Sequence, residues 1–142
     1  MPKSNRLYLN IARFVVCFSW VYHGFFPKIY HVAPLEKLIT GSAGFSAEIS
    51  DLITQGAGIG EIIFGGCLCL FYKNKWLVIV NIFALIGLLV AVMMTLPQLL
   101  IEAFNPVTTN IPLIGLSVIW LKEIAQENVR NPNKKDIPRY VQ

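Results

Sequence analysis

The sequence predicts an all-α fold, an integral membrane bundle of four transmembrane helices. Of the 142 residues, 55% are hydrophobic and only 14% are charged, too few to give a soluble domain of this size its charged surface. The charged residues also cluster, which leaves long apolar segments able to cross a hydrocarbon core of about 30 Å. Basic residues concentrate in alternate connections between these segments, which is typical of a polytopic membrane protein.

The first two predicted helices flank the longest non-spanning segment. Residues 7–26 provide about 20 mostly apolar residues, interrupted by Arg13. The interruption argues against a cleaved signal peptide, whose central segment is apolar throughout. A short amphipathic turn or two begins at Pro34 in the loop that follows. The second helix covers residues 47–72, with Ser46 as its predicted N-cap.

The third predicted helix is the clearest of the four, and the fourth is the weakest. The third covers residues 76–96, and Asn81 is its only strongly polar residue before the last two. The fourth covers residues 108–121 and completes a predicted transmembrane domain at 1–121. Residues 122–142 are charged and contain prolines, so we predict a charged cytoplasmic tail that consists of a solvated helix end and a flexible segment.

The distribution of basic residues predicts the orientation of the bundle. Bases precede helix one, join helices two and three, and follow helix four, whereas the other two connections carry fewer bases, balanced by acids. Because cytoplasmic loops carry the excess of lysine and arginine, both termini are predicted to be cytoplasmic. This topology also explains the net charge of +4, and the bases form no aromatic-rich patch that would predict a nucleic-acid partner.

Two charged residues inside the predicted spans are the main candidate functional residues. Glu61 falls at the centre of helix two among closely spaced glycines, and Arg13 falls about 5 Å to the cytoplasmic side of the centre of helix one. An unpaired charge at this depth costs at least ~2.5–3.5 kcal/mol by insertion scales. We therefore predict an Arg13–Glu61 ion pair, with either a structural role or a role in lining a cavity for a substrate or a quinone.

Three further polar or amphipathic residues lie in or near the spans. Asn81 falls roughly 7 Å to the cytoplasmic side and His23 about 10 Å to the outer side of the bilayer centre. Trp20 shares a stripe of helix one with Arg13 and fits an interfacial or packing role. For His23 an aromatic-belt role is the default, and a ligand or proton role is the alternative. The histidines have no spacing typical of metal ligands, so no metal site is predicted.

The three cysteines are predicted to be isolated apolar residues. Cys67 and Cys69 project about 200° apart on a helix. Cys17 and Cys67 differ in depth by roughly 8 Å, which is too far for a bridge. Neither pair predicts a thiol-redox mechanism.

After Arg13, three short motifs occur in order along the chain: Trp20-Val-Tyr-His-Gly24-Phe-Phe-Pro27-Lys28, Gly58-x-Gly60-Glu61 and Phe104-Asn-Pro106-Val-Thr-Thr-Asn110. With these motifs the chain resembles the DoxX-like family of small four-helix membrane proteins. Carried over residue by residue, the family pattern is matched at Arg13, Gly24, Pro27, Lys28, Glu61, Asn105, Pro106 and Asn110.

The resemblance implies a four-helix bundle that crosses the bacterial cytoplasmic (inner) membrane several times. The family takes its name from a subunit linked to a thiosulfate:quinone oxidoreductase, and its members have been tied to membrane redox complexes. Other relatives look like assembly partners with no chemistry of their own. The chain lacks a paired-cysteine motif, which speaks against a dithiol-exchange role.

The leading hypothesis is a membrane subunit of a redox system, with a quinone or another hydrophobic molecule held between helices one and two. Glu61 would accept and release protons, and the charge of Arg13 would influence the protonation of Glu61. His23 would line the outer entrance of the binding cavity. One alternative is a non-catalytic scaffold or assembly partner, and another is proton-coupled transport. The expected partners are the lipid bilayer, a soluble oxidoreductase and, through the glycine-rich face, a second copy of the chain. No residue is assigned a catalytic role.

Overall fold

The computed structural model describes residues 3–42, 44–103 and 105–130, and over these ranges the chain is helical with short connections and no strand. The elements follow in this order: α1 (Lys3–Phe25), a π-helical turn (Phe26–Tyr30), α2 (Pro34–Gly41), α3 (Ala47–Leu70), α4 (Lys75–Thr95), a 3₁₀ turn (Pro97–Leu100) and α5 (Pro106–Arg130). Four segments are long and apolar enough to cross a membrane: Leu7–Tyr30, Ala47–Leu70, Lys75–Thr95 and Pro106–Glu127. The predicted fold class, an all-α bundle with four membrane-spanning helices, is confirmed.

The helix boundaries differ from the prediction at the two ends of the bundle. The first span continues beyond residue 26 through the π turn Phe26–Tyr30, and α5 continues past residue 121 to Arg130. The solvated helix end predicted after residue 121 thus reaches Arg130, and residues 131–142 lie outside the described ranges. The π turn matters most, because it carries a lysine of the candidate site.

Side-chain caps fix the beginnings of three helices. The Ser46 hydroxyl accepts a hydrogen bond from the Ile49 backbone N–H at 3.5 Å, which confirms the predicted cap of α3. Asn74 caps α4 by accepting from the Trp76 N–H at 3.0 Å. The Asn105 side chain accepts from the Thr108 N–H at 2.9 Å and begins α5. Such caps satisfy backbone donors that have no partner inside the helix.

Helix α1 packs against both α3 and α5, while α4 packs mainly against α5 and the 3₁₀ turn. The α1–α3 contact is closest at Gly24 and Gly58, where a Cβ added to Gly58 would lie 2.6 Å from the Gly24 carbonyl oxygen. Further along, a Cβ added to Gly65 would lie 2.9 Å from the Trp20 Cβ. Trp20 and Gly24 of α1 therefore face Gly65 and Gly58 of α3.

Candidate functional site

Glu61 lies at the α1–α3 contact with a basic partner on each carboxylate oxygen. Lys28 Nζ lies 2.5 Å from Glu61 Oε1, and both side chains are nearly buried, with 7% and 10% of their surface exposed. His23 Nδ1 lies 3.3 Å from Glu61 Oε2, and the His23 side chain is 58% exposed. Because a carboxylate accepts hydrogen bonds only, His23 donates from Nδ1, which leaves Nε2 turned away from Glu61 and able to accept a proton.

A second carboxylate completes what we call the Glu61 cluster: Glu61, Lys28, His23 and Glu36. Glu36 Oε2 lies 3.8 Å from Lys28 Nζ, and its side chain is 15% exposed. Two carboxylates and one lysine leave the cluster with one net negative charge when His23 is neutral. His23 is the most exposed member of the cluster.

The missing side chain of Gly58 makes room for Lys28. A Cβ at Gly58 would lie 2.8 Å from the Lys28 Cβ, closer than packed carbon atoms approach. The π turn provides the other half of the arrangement, because Lys28 belongs to it and is buried there. An α-helix that simply continued would rotate the residues after the turn differently about its axis. The close crossing and the π turn together bring Lys28 to Glu61.

Helix α2 is attached to α3 beside the cluster. Lys37 Nζ lies 2.9 Å from Asp51 Oδ2, and the hydroxyls of Thr40 and Ser50 are hydrogen-bonded to each other. These contacts hold α2 in the position from which Glu36 reaches Lys28. The sequence pattern predicts α2 only as an amphipathic turn or two. Glu36 was not predicted as a site residue, and the one feature that could have indicated it is its place in the first turn after Pro34.

The predicted Arg13–Glu61 ion pair is wrong. The Arg13 guanidinium lies 4.1 Å from the centre of the Tyr72 ring, and its Nη2 donates to Cys69 Sγ at 3.9 Å. Arg13 precedes Gly24 by about 16 Å along a helix, and it is Gly24 that lies level with Glu61. The expected pair assumes that the midpoints of the two helices lie at the same depth. Instead, Glu61 packs near the C-terminal end of α1, where Lys28 is the closer base.

Residues 17–118 match the profile of the DoxX-like family, which is more than half of the chain. The protein belongs to the DoxX-like family. The matched range includes His23, Lys28 and Glu61, while Arg13 precedes it. No curated protein and no solved structure matches the chain.

Trp20 and Asn81 form a buried polar link across three helices of this DoxX-like protein. Trp20 Nε1 donates to Asn81 Oδ1 at 2.6 Å, and Asn81 Nδ2 donates to the Ser117 hydroxyl at 2.7 Å. Asn81 and Ser117 have no exposed surface. A satisfied, enclosed network of this kind fixes the packing of α1, α4 and α5 and leaves no group free for a ligand.

The two asparagines of the third motif also have local structural partners. Asn105 caps α5, and its side-chain amide donates to the Glu102 carbonyl at 2.8 Å. Asn110 donates to the Leu85 carbonyl oxygen at 3.4 Å and so joins α5 to α4. Of the sequence-predicted candidates, the structure brings Glu61, Lys28 and His23 together in one cluster and Trp20 and Asn81 together in another. Phe104, which begins this motif, lies outside the described residues.

Proposed function

We propose that this DoxX-like protein is the membrane subunit of a redox system and binds the polar head of a quinone at the Glu61 cluster. The observation that carries the proposal is the difference in exposure between the hydrogen-bonded partners His23, at 58%, and Glu61, at 10%. A molecule that arrives from the lipid or the interface meets His23 first. The buried carboxylate behind it then fixes the orientation of the imidazole.

The cluster supplies the protein groups that a quinone needs. A bound quinone would take up or release two electrons together with two protons. When protonated, His23 would donate a hydrogen bond from its Nε2–H group to a quinone oxygen, and it would pass that proton to the quinone on reduction. Glu61 would hold the positive charge of a protonated His23, and Lys28 would keep the carboxylate in place when His23 is neutral.

Aromatic rings at the end of α1 and in the following π turn provide an apolar surface beside His23. Tyr22 and Phe26 have ring centres 4.7 Å apart, and Phe25 and Phe26 have theirs 5.1 Å apart. All three rings are exposed on the bundle surface. Flat aromatic faces next to a hydrogen-bonding group suit a planar ring that enters from the bilayer.

The proposal extends to the cellular setting of the protein. It places the chain in the bacterial cytoplasmic membrane with both termini in the cytoplasm, as the distribution of basic residues predicts. A soluble oxidoreductase partner would exchange electrons with the quinone. The support for these points is the charge pattern and the family membership.

Titration with a decyl-chain benzoquinone tests the proposal on the full chain in lipid nanodiscs. We expect His23→Gln to weaken binding about 10- to 150-fold, because a hydrogen bond to a charged group contributes roughly 1.5–3 kcal/mol. His31→Gln is the matched control and should bind as the unaltered protein does. Failure of the unaltered protein to bind, or equal affinity of His23→Gln, would contradict the proposal.

A non-catalytic scaffold is the second candidate function, favoured by the near-complete burial of the Lys28–Glu61 pair under the Gly24–Gly58 crossing. In that case the pair fixes the register of α1 against α3 and exchanges no protons. The same titration separates the two candidates. A well-folded protein that binds no quinone would support the scaffold.

A further inference from the structure

The structure brings together a cysteine pair that the sequence spacing did not suggest. Cys69 on α3 packs against the buried cluster to which Cys17 on α1 belongs, and both thiols are free. Helix geometry argues against the Cys67–Cys69 and Cys17–Cys67 pairs but does not exclude Cys17–Cys69. The Cys17–Cys69 combination follows from the antiparallel register, in which Trp20 faces Gly65 and Arg13 faces Cys69.

The helix backbones are close enough at this level for the two side chains to meet. A Cβ added to Gly65, one helical turn before Cys69, would lie 3.1 Å from the Cys17 carbonyl oxygen. Disulfides require Cα atoms about 4.4–6.8 Å apart, which only closely packed helices reach. The small Gly65 therefore permits an approach that would suit a covalent bond between α1 and α3.

The surroundings of the pair differ for its two members. Cys17 is buried, whereas Cys69 is partly exposed and lies one residue before the end of α3. The Arg13 guanidinium donates to Cys69 Sγ, and among the ion pairs of the described residues Arg13 has no carboxylate partner. The cation is thus directed at the sulfur that an outside molecule reaches first.

We propose that Cys17 and Cys69 are a redox-active pair that closes into an interhelical disulfide by exchange with a disulfide compound. Cys69 is the entry thiol, Cys17 is the resolving thiol, and Arg13 stabilises negative charge on the entry sulfur. The proposal does not rest on quinone binding, because the pair lies about 9 Å from His23 along α1.

The exchange balances without any further oxidant. The Cys69 thiolate attacks one sulfur of the incoming disulfide, and the other sulfur leaves as a thiolate that takes up a proton. The Cys17 thiolate then attacks Cys69 in the mixed disulfide and releases the second thiol. One dithiol and one disulfide become one intrachain disulfide and two thiols, and the two electrons end on the released thiols.

Incubation of the full chain in nanodiscs with varied ratios of oxidised to reduced glutathione tests this proposal. Intact mass and peptide mapping should show loss of two hydrogen atoms and a linked Cys17–Cys69 peptide that increases with the oxidised fraction and disappears on reduction. Cys67→Ser is the matched control and should behave identically. Cys17→Ser should retain glutathione on Cys69, and Cys69→Ser should lose the linkage entirely.

Three results would overturn the proposal. The first is the absence of a Cys17–Cys69 link at every glutathione ratio. The second is a link to Cys67 of equal yield, which would indicate unspecific oxidation. The third is a Cys17→Ser protein that carries no glutathione on Cys69, since the entry thiol would then be elsewhere. None of these results depends on whether the protein binds a quinone.

Discussion

An unpaired Lys28 or Glu61 would be strongly unfavourable at its nearly buried position. Each satisfies the other, and Glu36 and His23 supply the remaining contacts. Removal of one member of a buried pair typically costs about 3–5 kcal/mol, whereas replacement of both by apolar residues of similar size is often neutral. This asymmetry separates the structural role of the pair from any chemical role.

Glu61→Met should destabilise the protein by about 3–5 kcal/mol, because it leaves the Lys28 ammonium buried beside only the more distant Glu36. Lys28→Met combined with Glu61→Met should recover most of that loss. The measurement is unfolding in mild detergent with increasing denaturant. Quinone titration of the double variant then completes the comparison, because our proposal requires a stable protein with weakened binding. Unchanged quinone binding by the double variant would show that the Lys28–Glu61 pair has a structural role only.

Arg13 illustrates where reasoning from the sequence stops at the scale of single residues. Its charge, its helix and its need for a partner were all readable from the sequence. Its partner was not, because the choice between Glu61 and the sulfur and aromatic ring at the end of α3 depends on how far two helices slide past each other. His23 and Lys28 were recognised as candidates, but nothing in their spacing indicated that both contact Glu61.

At the scale of elements, α3 presents two kinds of glycine. Gly58 and Gly65 lie in the contact with α1, whereas a Cβ added to Gly56 or Gly60 would meet nothing within 4 Å. The sequence shows the glycines as one group, and their helical phase only suggests which of them face a neighbour. The same helix therefore offers both a test substitution and its control.

Gly58→Ala should push α1 away from α3, because the added methyl group would lie 2.6 Å from the Gly24 carbonyl oxygen. We expect a destabilisation of about 1–3 kcal/mol and a weakened Lys28–Glu61 contact. Thermal unfolding in detergent measures the first effect. Gly60→Ala serves as the control and should be neutral or slightly stabilising, since alanine favours a helix by about 0.5–1 kcal/mol. Equal losses of stability in both variants would show that the loss does not come from the Gly24–Gly58 crossing.

The helix boundaries show which local signals are reliable. Ser46 capped α3 as predicted, because an N-cap depends on a few consecutive residues. The π turn at Phe26–Tyr30 was not predicted, since its formation follows from packing against α3 as well as from the local sequence. The charged residues after 121 predict a solvated helix end without giving its length, and α5 continues to Arg130.

For the whole molecule, composition and charge clustering were sufficient to predict four membrane-spanning helices. They were not sufficient to predict which helices are neighbours. Helix α1 lies between α3 and α5, and the Trp20–Asn81–Ser117 network joins α1 to α4 and α5. A single asparagine in an apolar helix indicates a polar network of this kind, but the sequence does not indicate which residues complete it.

Membrane orientation is testable with single cysteines in a variant in which the three native cysteines are serine. A membrane-impermeant maleimide applied to intact cells should label Gln98→Cys in the 3₁₀ turn but not Lys73→Cys in the turn before α4. The expectation follows from the concentration of bases in the connection between α3 and α4. Lysed cells, in which both variants should react, provide the control. Labelling of Lys73→Cys alone in intact cells would reverse the predicted topology.

The position of Lys28 in the π turn after α1, and of Glu61 in α3, also has a consequence for the order of synthesis. During translation, α1 reaches the membrane before α3 has been made, so Lys28 at first has no carboxylate from α3 and stays at the water interface. The Gly24–Gly58 crossing and the burial of Lys28 become available only when α3 enters beside α1. Insertion of the first two long helices is therefore expected to be a joint event, in which the arrival of Glu61 draws the end of α1 into the bundle.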